Sequence, residues 1–137
     1  MDPKPKPRPV HLLKTRTFAR WAKREDLADG ELAGAVSEMK AGLIDARLGG
    51  GVLKKRIARR GQGKSGGYRV ILASNLGDRW VFMFGFAKSE RDNIDDEEVK
   101  LMKNLAAVFL AMDEQMVKRA IAAGDLVEIQ HGKQETA

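Results

Sequence analysis

This sequence predicts an α+β fold, a small antiparallel β-sheet with two N-terminal helices and one C-terminal helix. Three observations carry the expectation. A helical period runs through Leu32, Ala35, Val36, Met39 and Leu43. A period of two takes over between Leu53 and Lys88, and a helical period returns at Met102, Leu105, Phe109, Met112 and Met116. With 137 residues, one domain built on one core is the expected organisation.

Met1 to Pro9 alternates Pro3, Pro5, Pro7 and Pro9 with Lys4, Lys6 and Arg8, which predicts a flexible, extended tail ahead of a single domain at 10–130. Residues 131–137 read as a second tail. Val10 to Thr15 is a candidate short strand. Thr17 is placed to cap a helix with Phe18, Trp21 and Ala22 on one face. A second helix starts near Asp29, with Glu31 in its first turn, where the helix dipole favours an anion. Gly49, Gly50 and Gly51 end the regular structure.

In the next segment Leu53 and Ile57 point one way and Lys54 and Arg56 the other, so this strand shows cations on its open face. Arg59 to Gly67 reads as a flexible basic loop, Tyr68 to Ser74 as a second strand, and Asn75 to Asp78 as a hairpin turn. Arg79 to Lys88 is the third strand. There Trp80, Phe82, Phe84 and Phe86 alternate with Val81, Met83, Gly85 and Ala87; both sets are largely apolar, which predicts a central strand covered on both faces. Such aromatics serve as core far more often than as platforms for stacked bases. Asp95 and Glu98 fit a capping box, and Ile94 with Val99 the hydrophobic staple that accompanies it. The methionines that follow read as core or partner-binding surface. Val117, Ala120 and Ile121 extend this helix or start another before Gly124, and Leu126 to Ile129 can add a small strand.

Charge is the functional signal. Between Asp45 and Asp78 there is no acidic residue, while Arg47, Lys54, Lys55, Arg56, Arg59, Arg60, Lys64 and Arg69 all fall there, threaded with Gly61, Gly63, Gly66 and Gly67. The acids cluster elsewhere, in Asp92 to Glu98. With a net charge of +6, that segregation favours a polyanion over a merely solvated face. Glycines let a backbone approach phosphates closely, and Arg and Lys neutralise them.

Several chemistries lack raw material. There is no cysteine, and the two histidines, His11 and His131, lie near opposite ends, so neither a conventional zinc site nor a histidine triad is expected. No membrane span or signal peptide is expected either. Ala58 with Gly63-Lys64-Ser65 satisfies a relaxed phosphate-loop pattern. That loop works where a helix starts at the Lys-Ser pair; here Gly66-Gly67 and a β-branched run lead into a strand.

Lys54, Arg56, Lys64, Arg69, Lys88 and Arg91 can meet on one face or rim of an antiparallel sheet. Clustered cations hold a phosphodiester and stabilise the extra charge of a pentacoordinate transition state. RNA carries its own nucleophile, the 2′-OH, so cleavage there calls for a base, charge stabilisation and in-line geometry. A desolvated lysine among cations has a lowered pKa and can serve as that base. The same cluster suffices for binding without cleavage. Glu90 reads as a local partner of Lys88 or Arg91, or else as a base; Tyr68 reads as core or as a stacking platform.

Taken together, Gly63-Lys64-Ser65-Gly66-Gly67-Tyr68-Arg69, the aromatic strand, and Phe86-Ala87-Lys88-Ser89-Glu90-Arg91-Asp92-Asn93-Ile94 resemble the RelE/HigB-like toxins of type II bacterial toxin–antitoxin systems. The resemblance covers roughly Thr15 to Gly124 and is nearest to the branch with a glycine-rich basic loop. It implies a RelE-like, microbial-ribonuclease-like fold and ribosome-dependent cleavage of mRNA in the A site of the 70S ribosome, without metal or cofactor. It also implies a cytoplasmic protein, neutralisation by a cognate antitoxin, and contact with operator DNA through the toxin–antitoxin complex. By the same resemblance Lys54, Arg56, Arg69, Lys88 and Arg91 match site positions of the family. With Lys64 of the basic loop the expected catalytic set is Arg69, Lys54, Arg56, Lys64 and Arg91. The basic window and the neighbour of Arg69 add Lys55, Arg59, Arg60 and Tyr68 to Lys88 as the expected RNA-binding set. Ser89 and Asp95 depart from the best-known branch, which has an arginine and a tyrosine there; Lys64 or Arg91 then supplies the missing charge. The alternatives are a non-catalytic binder of this fold, such as a gyrase inhibitor or a nucleic-acid- or partner-binding module, and a decayed, inert toxin.

Overall fold

A computed structural model describes residues 9–59 and 63–130. In order these form β1 (His11–Thr15), α1 (Arg16–Arg24), α2 (Asp29–Lys40), β2 (Ala46–Gly49) and β3 (Val52–Arg59). There follow β4 (Gly63–Ser74), β5 (Arg79–Ala87), α3 (Asp96–Ala111), α4 (Glu114–Ala122) and β6 (Leu126–Glu128). The strands make one sheet in the order β2-β3-β4-β5-β1-β6. Its neighbours are antiparallel except β1 and β5, which run parallel. The α+β class holds, and β5 is interior, as expected. The parallel pair and the edge strand β2 were not foreseen. No helix among the described residues is long and apolar enough to cross a membrane.

Each face of the sheet carries its own core. On one, Phe18 and Ala22 of α1 with Leu32, Val36 and Met39 of α2 pack on Leu53, Val70, Leu72, Trp80 and Phe82. On the other, Met102 and Ala106 of α3 with Val117 of α4 pack on Val52, Ile71, Ala73, Val81 and Met83. The buried side chains are overwhelmingly apolar, so burial on both faces supplies the main driving force.

Local signals set several boundaries. Thr15, not Thr17, caps α1: its hydroxyl accepts the Phe18 N–H at 3.1 Å, so the helix starts where β1 ends. The capping box of α3 forms as expected, with Asp95 accepting from the Glu98 N–H at 2.8 Å and Glu98 accepting from the Asp95 N–H at 2.9 Å. Of the two readings for Val117 to Ile121 the second holds: they belong to a separate helix. Met112 turns extended and Asp113 caps α4 through the Met116 N–H, so the apolar stripe expected to run through Met116 in one helix is split. Leu43, expected on the core face of α2, is exposed beyond the end of that helix, and Met116 is also exposed. Strand β4 starts at Gly63 rather than Tyr68, so most of the expected basic loop is strand and no helix starts at Lys64-Ser65. Both predicted tails fall almost wholly outside the described residues.

The strict alternation of aromatics in β5 does not survive folding. The pairing register slips by one residue at Met83, so that Phe82 pairs with Leu72 while Phe84 pairs with Ile71. An extra residue of this kind is a β-bulge, and it reverses the faces of everything beyond it. Trp80 and Phe82 point to the α1/α2 core, whereas Phe84 and Phe86 belong to the α3/α4 face. Gly85 then lies under Trp21 of α1. A Cβ built on it would sit 2.3 Å from the indole ring.

Gly85→Ala should therefore lose about 1–3 kcal/mol of stability, the usual range for overpacking a filled core. Urea unfolding followed by tryptophan fluorescence measures it, and an unchanged midpoint would show that Trp21 gives way freely.

Candidate functional site

Strand register brings the cations together. Arg56 of β3 pairs with Arg69 of β4, which pairs with Phe86 of β5. One row along, Lys54 pairs with Ile71 and Ile71 with Phe84. Register partners share a face, so Lys54, Arg56, Arg69, Phe84 and Phe86 look the same way. This is the α3/α4 face, but those helices cover its other half, over Val52, Ala73 and Val81. Arg56 is exposed, Lys54 half-buried and Arg69 buried between its neighbours.

Arg69 is the most confined of these cations. Burial first, and then repulsion by the Arg56 guanidinium, lower its pKa, with Asp45 partly offsetting them. An arginine remains charged regardless. Asp45, on the segment leading into β2, accepts from the Arg56 N–H at 2.7 Å and from Arg56 Nε at 2.9 Å. Burial would raise the Asp45 pKa, but the two hydrogen bonds and the cationic field of Arg56 outweigh it and hold the carboxyl below its ordinary value. Asp45 thus aims the Arg56 guanidinium.

The turn after β5 forms the rim. Arg91 lies over both rings, its guanidinium 5.7 Å from the centre of Phe84 and 5.3 Å from that of Phe86. It makes a bidentate pair with Glu98, at 2.6 and 3.1 Å, and donates twice to the Asn93 carbonyl. The hydrogen bond that Arg91 donates to Glu98 raises the Arg91 pKa, and the same bond, with that from the Asp95 N–H, lowers that of Glu98. Lys88 pairs with Asp92 at 3.0 Å, and Lys54 Nζ donates to Asn93 Oδ1 at 3.3 Å. Glu90, read from sequence as the local partner, is passed over by both cations.

Other expected site residues lie elsewhere. Lys55 points to the opposite face, where it is 2 % exposed, pairs with Glu38 at 2.7 Å and donates to the Leu43 carbonyl. Tyr68 is buried on that face too, its hydroxyl donating to the Glu25 carbonyl at 2.9 Å, with Arg59 over its ring. These three are therefore separate from the cationic row. Their side chains follow the period of two that Lys54 and Arg56 also obey. Arg60 and the side chain of Lys64 lie outside the described residues. Gly67 is needed by the strands themselves, since a Cβ there would stand 2.2 Å from the Ile57 carbonyl oxygen.

Sequence reasoning missed Asp45 and the role of Glu98 beyond its cap. Asp45 closes the acid-free window, and that boundary position was the available signal. Of the cations in the acid-free window, Lys55 and Arg56 acquire partners in Glu38 and Asp45, and at the rim Lys88 and Arg91 pair with Asp92 and Glu98. The register row of Arg56 and Arg69 with Lys54 beside them is able to grip a phosphodiester through charge-assisted hydrogen bonds. Of comparisons with known proteins, a family model described as RelE toxin of the RelE/RelB toxin–antitoxin system matches residues 10–129. No curated protein matches the chain.

Glu98 has a pKa below its ordinary 4.5, so its ion pair adds stability above that value and loses it as the pH falls through the lowered one. Glu98→Gln should accordingly be less stable than wild type at pH ~7 and converge on it as the pH falls below the lowered pKa of Glu98. Urea midpoints across that range test this; a constant gap would mean that the pair contributes nothing through charge.

Proposed function

The chain belongs to the RelE toxin family, and from that premise we propose that this toxin is a ribosome-dependent endoribonuclease that cuts mRNA in the A site. Membership makes it the toxin of a toxin–antitoxin pair and implies a cognate antitoxin as partner. Family and fold alone do not set the chemistry. The observation that carries the nuclease reading is the Arg56–Arg69 register pair, with Lys54 on the same strand and face as Arg56.

In this reading Arg69 and Arg56 clamp the scissile phosphate, Asp45 keeping Arg56 aimed. Lys54 or Lys64 takes the proton of the 2′-OH. The 2′-oxygen attacks phosphorus as the bond to the 5′-oxygen breaks, and that oxygen gains a proton. The products are a 2′,3′-cyclic phosphate and a 5′-hydroxyl, with no water consumed. Lys88 or Arg91 exchanges its carboxylate for the charge developing on the leaving oxygen. The site works in the cytoplasm on 70S ribosomes, and the protein meets operator DNA through its complex with the antitoxin.

A second reading draws on the ion pairs. Arg56, Lys88 and Arg91 each hold a carboxylate, which suits a non-catalytic binder of this fold or an inert toxin.

Primer extension on mRNA programmed into purified 70S ribosomes separates the two. Wild type should cut in the A-site codon, and Arg69→Ala should lose cutting by about 100-fold or more, as when a transition-state charge contact is removed. Uncut mRNA with folded wild-type protein would favour the binder; full activity of a folded Arg69→Ala protein would remove Arg69 from the mechanism.

A further inference from the structure

Helix α1 carries charge that the cationic row does not use. Its nine residues include Arg16, Arg20, Lys23 and Arg24 and no acid. Arg16 is taken by Asp125 at 2.8 Å, and Lys23 and Arg24 stand in the last turn, where the helix dipole favours cations. Neither reason covers Arg20. It shares one helical face with Thr17, Trp21 and Arg24, whose spacing follows the turns of the helix. Arg20 and Arg24 are exposed, and neither makes an ion pair or a ring contact among the described residues.

That face borders a groove of about 300 Å³ that is completed by Met83, Phe84 and Gly85 of β5, with no carboxylate in its lining. Trp21 is held there as a platform. It lies so close over Gly85 that a Cβ would sit 2.3 Å from its ring, and the rings of Phe18 and Tyr68 flank it at 5.4 Å each. The indole is half-buried, yet its N–H has no partner among the described residues and reaches solvent. The Trp80 N–H, by contrast, donates to the Gly77 carbonyl, as buried indoles usually do to some acceptor. Phe84 is also a ring beneath Arg91, so the groove and the rim of the cationic row share a wall. From Arg69 to Phe84 is roughly 8 Å, one strand across and two residues along.

We propose that this groove holds an unstacked base of single-stranded RNA, from a nucleotide next to the one gripped by Arg56 and Arg69. The proposal rests on the nuclease reading for its substrate, and on the groove for where the neighbouring nucleotide goes. A nucleotide joins a flat ring to an anion, and an indole platform flanked by two open guanidiniums complements both. The base stacks on Trp21, and its phosphates take Arg20 and Arg24. An acidic side chain would meet the arginines but leave the indole without a planar partner. Stacking accepts every base, so the groove sets where the strand lies and not which sequence is cut.

The test is binding of a short 2′-O-methyl oligoadenylate, which lacks the nucleophile and so stays intact, followed by tryptophan fluorescence across a salt series. Trp80 is fully buried, so a base on Trp21 should appear as quenching. Arg20→Gln/Arg24→Gln, at two exposed positions, should bind about tenfold or more weaker at low salt. It should also flatten the slope of log K against log salt by about 1.4, the release from two phosphates of a single strand. On programmed 70S ribosomes the same variant should raise KM about tenfold and leave kcat unchanged, whereas Arg69→Ala loses kcat. The proposal is overturned by absent binding, by binding without quenching, or by a variant whose affinity, slope and KM match wild type. Inorganic polyphosphate or oligoglutamate binding as tightly as the oligonucleotide overturns it too, because charge alone would then explain the site. Quenching without cutting on the ribosome supports the groove and counts against the nuclease reading alone; cutting without quenching does the reverse.

Discussion

The bulge at Met83 is the constraint on which the working half of this molecule depends. One extra residue in β5 sends Phe84 and Phe86 to the face opposite Trp80 and Phe82. Those two rings become the support for Arg91. Arg91 in turn reaches Glu98, whose carboxylate also caps α3, so the turn after β5 and the start of that helix are fastened at one point. On the other face the same slip brings Gly85 beneath Trp21, a contact that a residue with a Cβ would block. Without the bulge, Phe84 and Phe86 would stay with the α1/α2 core and Arg91 would have no aromatic support.

Two arginines paired across neighbouring strands are a built-in repulsion. Arg56 and Arg69 share a face, and Arg69 is largely withdrawn from water, where like charges repel most strongly. Asp45 relieves part of this by holding Arg56. In the proposed mechanism a phosphodiester adds to that relief, and more so in its pentacoordinate state, which carries additional negative charge. An interaction that strengthens toward the transition state lowers the barrier and not merely the binding energy.

The proposed sites lie on different parts of the sheet. The cationic row occupies the uncovered half of the α3/α4 face, while the groove beside Trp21 lies along the edge of β5, under α1. They meet at β5, where Phe84 lines the groove and is also one of the rings beneath Arg91.

The sequence by itself determined what depends on neighbours a few residues away. The capping box of Asp95 and Glu98, the core face of α2 up to Met39, the hairpin after Ser74 and the outward cations of β3 follow from local hydrogen bonding and periodicity. So does the α+β class. The family resemblance rested on short motifs of the same kind. Only the tertiary structure decided what depends on register between distant segments. A one-residue slip in β5 leaves no mark on a strict period-two pattern, yet it reverses the faces of Phe84 and Phe86. Lys55 reads like Lys54 in sequence, but strand parity turns it inward to meet Glu38, from a helix that ends well before β3. The acid-free window proved to be a property of the chain and not of the surface, because folding carries Glu38 to Lys55 and Asp45 to Arg56. Charges are ordered along the chain, but electrostatics acts through space, and the sheet sets those distances.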